Sequence, residues 1–99
     1  MKKTGDKYKL TDNQIITKPS FFWNNSVIHE ATDIKDIRIE TVQNFASDAI
    51  IEKKDNSYFR LKIRWRNQVK DLTDFAIRNQ IKCTIEEACD GDIQIIYPS

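Results

Sequence analysis

Glycine is scarce in this sequence: Gly5 and Gly91 are the only two among 99 residues. Loops that hold nucleotide phosphates need two or more glycines at fixed spacing, so glycine-rich phosphate-binding motifs are excluded. Long apolar runs are also missing, since no stretch approaches the roughly 20 residues that a membrane-spanning helix requires. The lysines near the N-terminus are not followed by an apolar segment, which is unlike a secretory signal. We therefore expect neither a nucleotide-binding loop nor a membrane partner.

Groups that carry catalytic or metal-binding chemistry are few. His29 is the single histidine, and Cys83 and Cys89 are the two cysteines. The cysteines are predicted to lie on one strand and its turn, about 20 Å apart if extended, whereas a disulfide needs Cα atoms within about 7 Å. The three residues match no zinc-binding spacing. We expect no disulfide, no metal and no cofactor, and free thiols indicate a reducing, cytoplasmic setting.

Sequence motifs of known enzyme classes are absent as well. The sequence contains no G-x-S-x-G, no H-E-x-x-H and no EF-hand ligand pattern. We therefore predict that the protein is not an enzyme. A thiol or histidine enzyme that uses His29, Cys83 or Cys89 is kept as a minor alternative, because spacing alone does not show whether these residues meet in space.

Charge of either sign is not in excess, since 16 basic and 15 acidic residues give a formal net charge of +1. The chain is 31% charged and 39% hydrophobic, which is typical of a folded domain with a hydrated surface. Its length suits one modest core, and we predict a loose polar arm over residues 1–12 and a single domain over 13–99. Fifteen isoleucines against three leucines favour a sheet. A coding bias also raises the isoleucine content, so periodicity has to decide.

The central part of the chain is predicted to be an antiparallel meander over about residues 35–66. Its second hairpin turns at Asp55-Asn56, two residues that tolerate the left-handed backbone of tight turns. Residues 34–45 fit a helix and a strand pattern equally well, and the β-branched run Ile37–Val42 favours the strand. An earlier hairpin is expected to pair residues 20–23 with 27–31, across the turn signal Asn24-Asn25-Ser26.

One helix is predicted over about residues 68–81, because apolar residues recur there at three- to five-residue spacing. Asn67 or Asp71 is the expected N-cap. A C-terminal hairpin over about 83–97 turns at Asp90-Gly91, a strong short-range turn signal. Strands with one helix packed on one face define an α+β domain with a mainly antiparallel sheet.

The segment Tyr58–Arg66 alternates completely between apolar and polar residues, which strongly indicates a strand with one buried face. Side chains on the polar face are spaced about 6.5–7 Å apart, which approximates the phosphate spacing of a single nucleic-acid strand. Lys53 and Lys54 flank the segment and are predicted to contribute to the binding of a partner or of phosphate. The polar face is predicted to carry a basic row of Arg60, Lys62, Arg64 and Arg66, with Tyr58 at its end, while Phe59, Leu61, Ile63 and Trp65 point the other way.

Three interpretations of the basic row are open. It is a hydrated sheet face, which Glu52 would partly neutralise if the register placed it opposite Arg60. It binds a phosphate backbone, with Tyr58 or the cluster Phe21-Phe22-Trp23 as a stacking surface. It docks against an acidic protein, where charge mainly sets association rate and specificity. The excess of arginine over lysine suits both carboxylate and phosphate recognition.

Two further features bear on partners. Glu86, Glu87, Asp90 and Asp92 form an acidic turn in the predicted C-terminal hairpin, and a hydrated turn is the favoured interpretation, since Glu86 and Glu87 face opposite sides of a strand. The separation of basic and acidic ends is also compatible with a homo-oligomer that associates head to tail. In the run Phe21-Phe22-Trp23, alternation leaves Phe22 outward as a candidate aromatic anchor.

Taken together, these patterns predict a small non-catalytic interaction module that binds a macromolecular partner through a basic sheet face. A protein partner is the first hypothesis, and nucleic acid bound by the same row is the alternative. The size and the absence of catalytic motifs are typical of small accessory, inhibitor, immunity or anti-defence proteins of bacteria and phages.

Overall fold

Eight strands, one α-helix and a short 3-10 turn account for most of the described chain. The computed structural model describes residues 8–17, 26–42, 45–64, 66–89 and 91–98. The 3-10 turn covers Ala31–Asp33. The strands and the helix, in chain order, are β1 Tyr8–Leu10, β2 Gln14–Thr17, β3 Val27–Glu30, β4 Ile34–Val42, β5 Phe45–Lys53, β6 Tyr58–Lys62, α1 Arg66–Arg78, β7 Lys82–Glu87 and β8 Ile93–Tyr97.

The central meander is confirmed, because β4 pairs antiparallel with β5, and β5 pairs antiparallel with β6. Residues 34–42 are a strand rather than a helix, as their β-branched run favours. The β5–β6 turn contains Asn56 with a φ of 73°, and the Asp55 Oδ1 atom accepts a hydrogen bond of 2.9 Å from the Ser57 N–H. Strand β6 ends at Lys62, four residues before the predicted boundary at Arg66.

The helix is present but lies two to three residues earlier than predicted. It begins at Arg66, so Asn67 and Asp71 lie inside it and neither is the N-cap. It ends in a Schellman motif, with the Gln80 N–H bonded to the Ile77 carbonyl (3.2 Å) and the Ile81 N–H to the Ala76 carbonyl (2.8 Å). Gln80 takes the left-handed conformation that glycine usually supplies at this position. Ile81 fits the apolar stripe of the sequence, but it lies past the helix end and is buried.

The larger sheet has the order β6-β5-β4-β7-β8, and β7–β8 is the confirmed C-terminal hairpin. The β4–β7 pair is parallel and the other pairs of this sheet are antiparallel. A parallel pair needs a crossover connection. Here β5, β6 and α1 lie between β4 and β7 in the chain, so that α1 returns the chain to the neighbour of β4. The fold is α+β, with a mainly antiparallel sheet and one helix packed on it.

A second, three-stranded sheet has the order β1-β2-β3. Strand β3 pairs with β2, and residues 20–23, the partner expected from the sequence, lie outside the described residues. Strand β1 falls within the segment expected to be a loose arm over residues 1–12, of which the structure describes residues from Tyr8 onward. Both sheets and α1 share one core, whose most completely buried side chains are Phe75, Ile15, Ile37, Ile39, Ile51, Leu61, Leu72 and Cys83.

Candidate interaction surface

The five-stranded sheet has one face in the core and one face toward solvent, which we call the open face. The core face contacts α1 and the three-stranded sheet. The pairing register arranges the open face in three rows that run across the strands. These rows are Tyr58–Glu52–Asp36–Lys82, then Arg60–Ile50–Arg38–Thr84–Ile95, then Lys62–Asp48–Glu40–Glu86–Ile93.

The predicted alternation along β6 is confirmed. Leu61 and Ile63 are buried, while Tyr58, Arg60 and Lys62 are exposed on the open face. The residue Trp65 lies outside the described part of the chain. Because β6 is the last strand of its sheet, these three side chains form a column along one edge of the open face.

The other end of the basic row leaves the strand. Arg64 is exposed and follows β6, and its backbone N–H donates a hydrogen bond of 2.7 Å to the Gln68 Oε1 atom. Arg66 is exposed as the first residue of α1. The four cations that the sequence places in one row are therefore divided, with Arg60 and Lys62 on the sheet and the other two at the junction with the helix.

The flanking residues do not extend this column. Lys53 ends β5 next to Glu52 and therefore points to the core side, where it adds to the effect of burial in lowering the pKa of His29. Lys54 is exposed in the following turn, and its backbone N–H donates to the Asp33 carbonyl oxygen at 2.9 Å. Phe22, the candidate aromatic anchor, lies outside the described residues.

The register decides which carboxylate meets the basic row. Glu52 lies opposite Tyr58, not opposite Arg60, and its Oε2 atom is 3.8 Å from the Lys35 Nζ atom. The Arg60 Nη1 atom instead lies 3.2 Å from the Asp48 Oδ2 atom. Asp48 stands directly opposite Lys62, so its contact with Arg60 is diagonal across the two strands.

Carboxylates continue across the strands beside this column. In the third row, Asp48, Glu40 and Glu86 occupy three adjacent strands, and the Arg38 Nε atom lies 3.9 Å from the Glu86 Oε1 atom. In the first row, burial and the neighbouring Glu52 raise the pKa of Asp36. The positive column thus borders a surface of mixed sign, on which Asp48 and not Glu52 pairs with Arg60. Alternation in β4 and β5 signals which residues face outward, but the signal does not give the register.

A shallow depression lies on the β6 side of the open face, across β6, β5 and β4. Ile50 belongs to the open face by its register with Arg38 and Arg60, yet it is only 9% exposed. The depression is lined by Asp36, Arg38, Ile50, Glu52, Tyr58 and Arg60. An apolar floor with charged groups around it is an arrangement suited to protein contacts, since apolar anchors surrounded by polar groups are typical of interfaces.

The acidic turn is divided between the two faces of the sheet. Glu86 lies beside Arg38 on the open face, whereas the Glu87 Oε2 atom accepts a hydrogen bond of 2.8 Å from the Thr41 hydroxyl. Asp92 is exposed after the turn, which contains Gly91 with a φ of 72°, and Asp90 lies outside the described residues. The two glutamates therefore do not form a paired carboxylate site.

Of the three nucleophile and proton-carrier candidates, Cys83 and His29 are buried and Cys89 is exposed. Burial, with a smaller contribution from Asp36, raises the pKa of Cys83 to about 11, so this thiol is protonated at neutral pH. His29 is buried, stacks on Phe59 with ring centroids 4.0 Å apart, and has its Nε2 atom 3.4 Å from the Thr17 hydroxyl. Burial is the main cause that lowers the pKa of His29, and the lowered pKa favours the neutral ring. Cys89 is an exposed free thiol.

Within the described ranges, no three His, Cys, Asp or Glu side chains are grouped so that they could hold a metal ion. None of the described helices is long and apolar enough to cross a membrane. Comparison of the chain with models of known protein families, with curated proteins and with solved structures finds no match.

Proposed function

We propose that this protein is a non-catalytic interaction module that binds a protein partner through the open face of its five-stranded sheet. The observation that carries this proposal is the interleaving of cations and carboxylates on a sheet face that lies opposite the core, α1 and the small sheet. On this face, Arg60 and Lys62 form the positive edge, and Asp48, Glu40 and Glu86 form an acidic row beside it.

The mixed sign favours a polypeptide over a polyphosphate. The three rows contain four cations, Arg38, Arg60, Lys62 and Lys82, against five carboxylates, Asp36, Glu40, Asp48, Glu52 and Glu86. A nucleic-acid backbone carries one sign of charge, so it would gain contacts at the β6 edge and meet repulsion across the adjacent strands. A protein surface can present acidic groups to the edge and basic groups to the acidic row.

The β6 edge is the part of this face best suited to steer a partner. The Arg60 side chain is 57% exposed although it pairs with Asp48. An exposed ion pair contributes little net free energy, so a carboxylate of the partner can readily replace Asp48. Arginine offers a planar fork of donors for bidentate contact with a carboxylate. We therefore expect the partner to place an acidic patch over Arg60 and Lys62, with Arg64 and Arg66 adding positive potential at the end of the strand.

The test is a charge reversal with a matched control. The variant Arg60→Glu/Lys62→Glu reverses the edge, and the variant Lys9→Glu/Lys70→Glu changes the net charge equally at exposed positions on β1 and α1, across the core from the open face. Each tagged protein is used to capture partners from a lysate of the native host treated with nuclease. We expect a captured protein that the control retains and the edge variant loses, with both variants folded by circular dichroism.

Binding of a labelled single-stranded oligonucleotide provides the opposing measurement. If nucleic acid is the ligand, the logarithm of the affinity falls with the logarithm of the salt concentration at a slope of about −3 for four neutralised phosphates of a single strand, and the edge variant loses this binding. Such binding at physiological salt would contradict the proposal of a protein partner. So would equal capture of the same proteins by the wild type and the edge variant.

A further inference from the structure

The two outer strands of the five-stranded sheet differ in a way that indicates self-association. Strand β6 forms one edge and carries Arg60 and Lys62, and charges of this kind block pairing with another edge. Strand β8 forms the other edge, and its sequence Ile-Gln-Ile-Ile-Tyr contains no charge. Its outward residues Ile93 and Ile95 are 62% and 60% exposed.

An uncharged, exposed edge strand is a template for pairing with another strand. We propose that two copies of this chain pair antiparallel along β8, which joins their five-stranded sheets into one continuous ten-stranded sheet. A two-fold axis requires antiparallel pairing of identical strands, and it places both open faces on the same side of the joined sheet. The proposal concerns an edge of the sheet and does not depend on the proposed partner binding.

The register follows from the regular part of β8. The ladder with β7 is regular over Ile93–Ile95, which pair with Glu86, Ile85 and Thr84, and it shifts between Thr84 and Cys83. A two-fold pair centred on Gln94 therefore uses the regular residues and places Ile93 of each copy opposite Ile95 of the other. This arrangement forms two isoleucine pairs on the open face, where cross-strand apolar pairs stabilise a sheet.

A second copy fits this edge by charge. Across the two-fold axis at Gln94, Asp92 lies opposite Ile96 of the other copy and Gly91 lies opposite Tyr97, so no like charges stand directly opposite each other. A β6–β6 pair would bring two cation-bearing edges together. A β6–β8 pair is head to tail and leaves both ends open, which produces filaments rather than a closed dimer.

The first measurement is the mass of the wild type by light scattering and sedimentation over a wide range of concentrations. We expect a species of about twice the 11.7 kDa of one chain. Hydrogen exchange at low and high concentration provides a second readout, in which β8 amides gain protection with concentration and β6 amides do not. A mass that stays at one chain, or that grows without limit, would overturn the proposal.

Charge substitutions test the register. Ile93→Lys/Ile95→Lys places lysine opposite lysine twice and should dissociate the dimer, whereas Ile93→Glu/Ile95→Lys places glutamate opposite lysine twice. We expect the mixed variant to dimerise about tenfold or more tightly than the double lysine variant. Ile28→Lys is the matched control, because Ile28 is 55% exposed on β3 of the other sheet and should not affect the dimer. A dimer that survives the double lysine variant, or equal affinities of the two double variants, contradicts this pairing.

Discussion

The end of the helix provides a prediction with a definite sign. Gln80 has a φ of 57° at the position after the C-cap, where the Schellman motif requires a left-handed residue. A residue other than glycine costs roughly 1–2 kcal/mol in this conformation. Glycine removes that cost but loses roughly 0.5–1 kcal/mol of chain entropy on folding. We therefore expect Gln80→Gly to stabilise the protein by about 0.5–1 kcal/mol.

The assay is thermal unfolding followed by circular dichroism, with urea unfolding as a second measure. For a domain of this size a gain of about 1 kcal/mol raises Tm by roughly 4–8 °C, so we expect a rise of about 2–8 °C. The urea midpoint should increase with an unchanged m value, because the surface exposed on unfolding stays the same.

A glycine two residues earlier serves as the control. Arg78 is the last residue of α1, and its ion pair with Asp12 is long and exposed, at 3.9 Å. Arg78→Gly should therefore destabilise mainly by the helix propensity of glycine, roughly 1 kcal/mol. Opposite signs for the two glycine variants support the assigned helix end. A loss of stability in Gln80→Gly would refute the assigned helix end, because it would mean that residue 80 has an ordinary helical conformation, in which glycine is unfavourable.

Three further predictions concern the core and its titratable groups. The pKa of His29 is lowered in the folded protein, so unfolding takes up a proton at pH values below the ordinary pKa of about 6.5. The stabilising contribution of the neutral ring is therefore complete above that pH and falls as the pH decreases toward the lowered pKa. His29→Phe should remove this fall from the pH profile of the free energy of unfolding, measured with urea. Thiol labelling of the native protein should modify Cys89 quickly and Cys83 only after unfolding, because Cys83 is buried and its pKa is raised to about 11; fast labelling of both would contradict the assigned burial. Leu61→Ala removes most of a fully buried side chain and should lower the free energy of unfolding by about 2–5 kcal/mol. A decrease of less than about 1 kcal/mol would contradict the burial of Leu61.

Local patterns in the sequence account for much of the architecture. The alternation along Tyr58–Ile63 predicts both the strand and the side of each residue, because successive side chains of a strand point to opposite faces. Asp55-Asn56 and Gly91 mark turns, since these residues accept a left-handed backbone at low cost. The stripe of Leu72, Phe75 and Ala76 identifies the helix. Each signal depends only on neighbours within a few residues, and each is present in the fold.

The helix boundaries show where such signals end. The stripe runs on to Ile81, which is apolar because it packs into the core after the Schellman motif and not because it is helical. Glycine would have marked the end, but Gln80 occupies that position. The N-terminal boundary of the helix also differs from the prediction. Asn67 is a residue type that is favoured as an N-cap, but it lies inside a helix that begins at Arg66.

The chemistry of the candidate surface depends on contacts that are distant in sequence. Asp48 meets Arg60, Arg38 meets Glu86, and the parallel β4–β7 pair places β8 at an edge. Strand order and the pairing of strands distant in sequence are set by how all the apolar faces are buried together, and hairpin register also depends on the geometry of the turn, so the residue pattern of a single strand does not contain them. The sequence by its own periodicity therefore indicated the strands of the larger sheet, the helix and a row of cations, but not strand β1, which lies in the segment expected to be a loose arm. Long-range packing determined that this row borders carboxylates on a face of mixed charge, and that the uncharged strand β8 forms the opposite edge of the sheet.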